Sequence, residues 1–234
     1  MSSAQRLSDI QLRIRQACEQ ARRPIDSVAL LAVSKTFPAE AVLEFAQLGQ
    51  TAFGENYLQE AEAKITQLAD TPECPKLTWH FIGPIQSNKT KSVASLFDWV
   101  HSVDRLKIAQ RLSSQRPPEL PPLNVLLQIN TSGEASKSGM SPAEAHSVAK
   151  EVATLPNLRL RGLMTIPNPE HQDADLQREF LMCQSLMTEL NQSGLGLDTL
   201  SMGMSQDLET AIACGSTCVR VGTALFGKRD YPNT

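Results

Sequence analysis

No stretch of this 234-residue chain approaches the ~18 uninterrupted apolar residues that a membrane-spanning helix needs, so the sequence offers no support for insertion into a bilayer. The opening MSSAQRLSDIQLRIRQ also lacks the apolar core of a secretion signal. An excess of one charge is missing too. The 22 Lys+Arg stand against 25 Asp+Glu, a formal net charge of -3, which argues against a general polyanion binder and leaves nucleic acid out of the expected partners. No two cysteines are spaced as CxxC, and the five present (Cys18, Cys74, Cys183, Cys214, Cys218) are an odd number. Free thiols in a reducing compartment fit that pattern, and nothing completes a metal site around Cys214 and Cys218. A cytoplasmic protein is expected. Low-complexity tracts are absent, and so are internal repeats beyond the alternation described next.

What is present is a rhythm. Leu7, Ile10, Ile14, Ala17, Cys18 and Ala21 fall at helical spacing before Pro24, predicting an amphipathic opening helix. Eight predicted strands follow, at 28–33, 51–54, 78–82, 99–103, 124–130, 158–165, 199–201 and 217–221. Helical patterns separate them at 39–48, 57–69, 88–96, 104–114, 142–154, 173–193 and 206–213. Such strict alternation fits one closed (βα)8 barrel of the TIM type, α/β in class, spanning 1–234 with an extra N-terminal helix. The proline-rich run 116–122 resembles a linker, but each half alone would leave an unclosed sheet, so it reads as a stiff loop on the bottom face.

Barrel chemistry collects at the strand C-termini. The first strand, VALLAV, runs into Ser34 and Lys35, and a lysine there is either a solvated strand-end cation or a nucleophilic amine. Strand seven leads into Ser201-Met202-Gly203-Met204-Ser205 and strand eight into Gly222-Thr223-Ala224, small residues whose backbone N–H groups suit a phosphate. In Cys218-Val219-Arg220-Val221 the period of two sets Arg220 on the face opposite both valines, which is the barrel interior if the valines face the helices. Barrel closure brings that arginine beside strand one. Spacing alone leaves it paired either to a buried carboxylate or to a ligand, because an unpaired buried arginine is prohibitive. A fixed cation nearby also favours a deprotonated lysine. An amine, a phosphate cradle and an arginine for the ring nitrogen are together what a pyridoxal phosphate site requires.

The strings AVSKT (32–36), FGENYLQEA (53–61), WHFIGPIQSNK (79–89), HSVDR (101–105), GLMTI (162–166), LSMGMSQD (200–207) and VRVGTALFG (219–227) extend over nearly the whole chain. In these motifs the sequence resembles the pyridoxal-phosphate-binding homeostasis family of the YggS or PROSC type, related in fold to the barrel domain of alanine racemase. The resemblance implies a Schiff base of pyridoxal 5′-phosphate on Lys35, Arg220 opposite the pyridine nitrogen, Ser201, Gly222 and Thr223 around the phosphate, and Asn56 near the cofactor. His80 belongs to the WHFIG motif, although a strand histidine is often a satisfied core group. Lys89 and Lys91 read as a solvated helix face, and Lys137, after strand five, is a candidate second acceptor for the cofactor.

Racemisation needs a proton donor on each face of a planar carbanion, and Lys35 serves one face only. Racemase relatives supply the other from a tyrosine in an additional domain, whereas this chain stops at Thr234 and holds only Tyr57 and Tyr231. Where racemases resemble GLxTH, this chain has Ile166 in place of the histidine. A guanidinium at Arg220 cannot protonate the ring, so the cofactor would be a weak electron sink. The expectation is a monomeric carrier or buffer of pyridoxal phosphate with little or no catalysis, its partners being apo forms of pyridoxal-phosphate-dependent enzymes. The alternatives are a pyridoxal-phosphate-dependent amino-acid racemase and a barrel aldolase using Lys35.

Overall fold

The structure, a computed structural model, describes residues 1–134, 138–171 and 173–227. Eight parallel strands close in sequence order, β1 Ala29–Val33, β2 Ala52–Glu55, β3 Thr78–Phe81, β4 Trp99–Val103, β5 Leu123–Ile129, β6 Leu158–Thr165, β7 Thr199–Ser201 and β8 Cys218–Val221. The buried stretches of β1, β5 and β8 are largely apolar, as strands covered on both faces tend to be. The barrel shuts where β1 pairs with β8, Leu31 lying beside Arg220 and Ala32 beside Val221. All eight expected strands form, with ends that shift by at most one residue.

Helices α1 Ser3–Gln20, α2 Ala39–Gln47, α3 Leu58–Ala69, α4 Thr90–Leu96, α5 Leu106–Gln115, α6 Pro142–Ala153, α7 Asp173–Gln192 and α8 Leu208–Ala213 cover the barrel. The start of α6 illustrates the local logic. Ser141 accepts from the Glu144 N–H, Glu144 reaches back to the Ser141 N–H, and Pro142 occupies the first helical position, where no N–H is needed. A 3-10 turn at Ile25–Ser27 escaped the sequence reading, and a short helical turn, α9 Thr223–Phe226, follows β8. Strands β6 and β7 approach so closely that a side chain at Gly162 would place its Cβ 1.8 Å from the Thr199 carbonyl oxygen.

The proline-rich run does connect α5 to the bottom of β5. Arg116 is buried, donating to the carbonyls of Ala94 and Phe97 at the end of α4 and to that of Pro121. Helix α1 lies across α8 and α9, burying Leu7, Ile10, Ile14, Ala17 and Cys18. It ties both elements down. Arg6 donates to the Leu225 carbonyl, and Arg13 forms an ion pair with Glu209 while also donating to the Ser205 carbonyl. Cys18, Cys183, Cys214 and Cys218 are buried, Cys74 is half-buried, and all five are free thiols. No helix among the described residues is long and apolar enough to cross a membrane.

Candidate functional site

A cavity of about 770 Å³ opens at the C-terminal ends of the strands, where barrel folds place their chemistry. Lys35, Asn56, Arg220, Gly222 and Thr223 all line it, as do Ile166, Met204, Ser205, Asp207 and Ala224. Strands that are remote in sequence meet here through closure of the barrel.

Lys35 sits in a tight turn just beyond β1, and a buried network holds that turn. Glu55, at the end of β2, is fully buried and accepts from the Ser34 hydroxyl at 2.6 Å and from Lys64 Nζ at 2.6 Å. Lys64 also donates to the Ser34 carbonyl and pairs with Glu60, whose carboxylate accepts the Thr36 N–H at 2.6 Å. Thr36 adopts a φ of 70°, a left-handed conformation that a β-branched residue takes only when its surroundings hold it there. Burial pushes the Glu55 carboxyl above its ordinary value, opposed by Lys64. Lys64 occupies the inward stripe of α3 with Ala61 and Leu68. A lysine on that apolar stripe was the sequence signal for a buried ion pair.

On the neighbouring strand end the Asn56 Oδ1 is buried without a hydrogen-bond partner. Gly83 lets the next strand's loop pass close beside it, since a Cβ there would lie 2.2 Å from the Asn56 carbonyl oxygen.

Arg220 is 5% exposed. Its Nη1 donates to the Ser201 carbonyl at 2.6 Å and to the Ser201 hydroxyl at 2.7 Å, and its Nη2 donates to the Thr165 carbonyl at 2.9 Å. No carboxylate among the described residues pairs with it, so neutral acceptors hold a buried cation at the cavity wall. A guanidinium carries five N–H donors; two of those on Arg220 have no partner among the described residues. Burial lowers its pKa from the ordinary arginine value, although an arginine remains protonated in any accessible range.

Ser201 differs from the other expected site residues. It is fully buried, absent from the cavity lining, and its hydroxyl is held by Arg220 and by His101 Nδ1 at 2.9 Å. His101 Nε2 in turn meets His80 Nδ1 at 2.9 Å. Burial alone takes the His80 imidazole down to about 3, and it drives His101 well below the usual histidine range with help from His80 and Arg220, so both rings are neutral.

The cradle is built from α9 and the β7–α8 loop. The first N–H groups of α9 have no carbonyl of their own helix to reach, and they adjoin Gly222, where a Cβ would crowd the Val33 carbonyl at 3.2 Å. Phe226 of α9 stacks on Phe37 at 5.0 Å and meets Phe45 edge-on at 4.7 Å, which joins the cradle to the turn carrying Lys35. His171 lines the same cavity with its Nδ1 2.7 Å from the buried Glu179 carboxylate. Lys89 is half-buried and Lys91 exposed, both off the cavity lining, and Lys137 lies outside the described residues. His101, Lys64, Glu55 and His171 were not singled out in the sequence. His101 stands inside the HSVDR motif, and His171 lies in a polar loop with no periodicity to mark it.

Residues 6–230 match the family model described as alanine racemase, N-terminal domain. Solved alanine racemases share the fold at low identity. That of Corynebacterium glutamicum is 18% identical with a TM-score of 0.67, the match covering 97% of this chain and 63% of the racemase. The nearer likeness is narrower. A pyridoxal phosphate homeostasis protein of Pseudomonas aeruginosa is 59% identical over 228 residues, 97% of this chain and 96% of the relative, and that of Escherichia coli is 51% identical over 233 residues, 97% of each. PipY of Synechococcus elongatus, solved with PLP bound, is 37% identical with a TM-score of 0.83, covering 97% of this chain and 100% of PipY. The chain belongs to the pyridoxal phosphate homeostasis protein family.

Proposed function

We propose that this protein holds pyridoxal 5′-phosphate as a Schiff base on Lys35 and serves as an intracellular carrier or buffer of that cofactor, with little or no turnover of amino acids. The observation that carries the reading is Arg220, a buried guanidinium with two uncommitted N–H groups at the wall of the cavity that Lys35 also lines. Such a donor suits an acceptor ring nitrogen. Lys35 supplies the amine, the unpartnered Asn56 Oδ1 offers a polar contact beside it, and Gly222, Thr223, Ala224 and Ser205 frame a cradle for the phosphate. Ser201 takes a different part from phosphate binding, since its hydroxyl is committed to Arg220 and His101. When bound, the cofactor supplies an aldehyde that condenses reversibly with amines and a ring able to withdraw electrons.

Arg220 makes that ring a poor electron sink, because a guanidinium donates to the pyridine nitrogen without giving up its proton. Ile166, 45% exposed, lines the cavity with an apolar side chain where a histidine would have packed on the ring. Exchange of one amine for another survives these features, while abstraction of an α-proton does not. The clients are apo forms of pyridoxal-phosphate-dependent enzymes in the cytoplasm, and the working unit is the monomer.

A second reading, an amino-acid racemase, draws on His171, whose ring is oriented by Glu179 and lines the same cavity, where an enzyme of that class needs a proton donor or acceptor. One experiment separates the two. The purified protein loaded with cofactor is given alanine in D₂O, its imine absorbance is recorded, and exchange at the α-carbon is followed. An imine band fixed by borohydride onto Lys35 with negligible exchange is expected for the carrier. Enzyme-like exchange lost on Lys35→Ala would establish the racemase, and absence of any imine band would dismiss both.

A further inference from the structure

The polar chain behind Arg220 has no part in the function proposed so far. An arginine only donates, so the Ser201 hydroxyl accepts from Nη1 and has one hydrogen left to give, with His101 Nδ1 2.9 Å away. That places the His101 proton on Nε2, from which it is donated to His80 Nδ1 at 2.9 Å. His80 then carries its own proton on Nε2. Both rings being neutral, each has one donor and one acceptor, and every hydrogen bond in the chain runs in the same direction. The far end is anchored too. His80 stacks on Trp99 with ring centres 5.3 Å apart and planes 8° apart, Arg161 lies over the Trp99 ring at 4.7 Å, and Asp198 grips Arg161 through both carboxylate oxygens.

We infer that His101 and His80 are positioning residues that fix the rotor of the Ser201 hydroxyl and thereby aim the Arg220 guanidinium at the bound pyridoxal phosphate ring. The inference rests on the cofactor reading above. Without the histidines the Ser201 hydroxyl is free to turn its hydrogen toward Nη1, and the guanidinium then keeps only the two carbonyls of Ser201 and Thr165. The fork loosens, and the two N–H groups of Arg220 left without a partner among the described residues lose their fixed direction.

The test is the rate of cofactor release together with the absorption maximum of the bound cofactor, measured on the full-length protein. His101→Leu should shift the band and speed release about fivefold, the effect of one neutral hydrogen bond, while His101→Asn, whose amide can stand in for Nδ1, should return both to within about twofold of wild type. Ser201→Ala should reproduce the leucine phenotype, and the double variant should be no faster than Ser201→Ala alone, because both changes break one chain. A wild-type band and release rate in a folded His101→Leu protein would overturn the inference, as would additive effects in the double variant. Lower melting temperature with an unchanged spectrum would likewise reduce the histidines to core packing. Should His101→Leu not fold, His80→Leu touches neither Ser201 nor the cavity lining and is read by the same criteria. A wild-type protein that shows no imine band at all would instead overturn the cofactor reading itself.

Discussion

Two neutral histidines sealed in a barrel make the fold sensitive to mild acid, and the size of the effect follows from their burial. His80 is held neutral down to about pH 3, whereas in the unfolded chain it titrates at its ordinary 6.5. A group whose folded pKa is depressed in this way binds its proton only on unfolding, so stability falls as pH drops below 6.5 and continues to fall until about 3. At pH 5, roughly 1.5 units below the unfolded value, the cost at 1.36 kcal/mol per unit is about 2 kcal/mol for His80 alone. His101, depressed by the same burial and by its two cationic or potentially cationic neighbours, loses stability over the same window. For a chain of this length 2 kcal/mol corresponds to a fall in melting temperature of about 4 to 8 °C.

Other groups do not imitate this window. Glu209, Glu144 and Asp198 have lowered carboxyl pKa values, so their contributions are fully present above about pH 5 and decline only below their unfolded values. Glu55, raised by burial, works in the opposite sense, its folded form taking up a proton before the unfolded form does. The assay is thermal unfolding of the cofactor-free protein between pH 7.5 and 5, for wild type and for His80→Asn/His101→Asn. Wild type should lose stability across the interval and the double variant should be nearly flat. Equal slopes in the two proteins would show that the histidine pair is not the source, and that the buried chain behind Arg220 has been misread.

Lys35→Ala should abolish the imine band and the borohydride adduct while changing stability by no more than about 0.5 kcal/mol, since the side chain is half-buried at a turn; circular dichroism melts check the second part. Arg220→Met leaves the Ser201 and Thr165 carbonyls without their donor, so a loss of about 2 to 3 kcal/mol is expected from urea unfolding, together with a weakened grip on the cofactor. Lys64→Met strands the buried Glu55 carboxylate and should cost about 3 to 5 kcal/mol, most of it recovered in Lys64→Met/Glu55→Gln. Gly83→Ala forces the Asn56 backbone to move and should slow cofactor binding or raise its Kd at least about tenfold, read by equilibrium titration, because a displaced binding group loses its contact outright.

The barrel itself was legible because its strand signal is repeated eight times, apolar runs that end in small or polar residues, with a helical stripe between each run and the next. That Lys35, Arg220 and the Gly222-Thr223 turn line one cavity could be expected from strand ends, since position along a strand fixes which end of the barrel a residue reaches. The alternation in Cys218-Val219-Arg220-Val221 correctly turned the arginine inward, and both valines are fully buried on the other face. Ser201 shows where that logic stops. As the last residue of β7 it reads as part of the cradle, but its side chain is fully buried and off the cavity lining, and the hydroxyl instead meets Arg220 one strand away. Partnerships across the barrel, such as His101 with His80 or Lys64 with Ser34, depend on register between strands and on helix rotation, which a single sequence does not display.

Barrel closure gives this site a property that its separate parts lack. Lys35 follows the first strand and Arg220 lies on the last, and they are neighbours only because β1 pairs with β8 along four registered positions. The cradle on α9 is fastened to the Lys35 turn by Phe226 against Phe37, and fastened again from outside by Arg6 of α1 at the Leu225 carbonyl. A ligand that engages Lys35, Arg220 and the α9 turn at once therefore bridges the two ends of the barrel. On the carrier reading this has a direct consequence. Binding adds its free energy to the closure of the barrel, and release need not open the fold, because the cavity already stands open at the strand ends and the buried clamps on the Lys35 turn and on Arg220 lie behind it. Retention is then governed by the bond to Lys35 and by the cradle contacts, both of which can break one at a time, as a protein that must give its cofactor up requires.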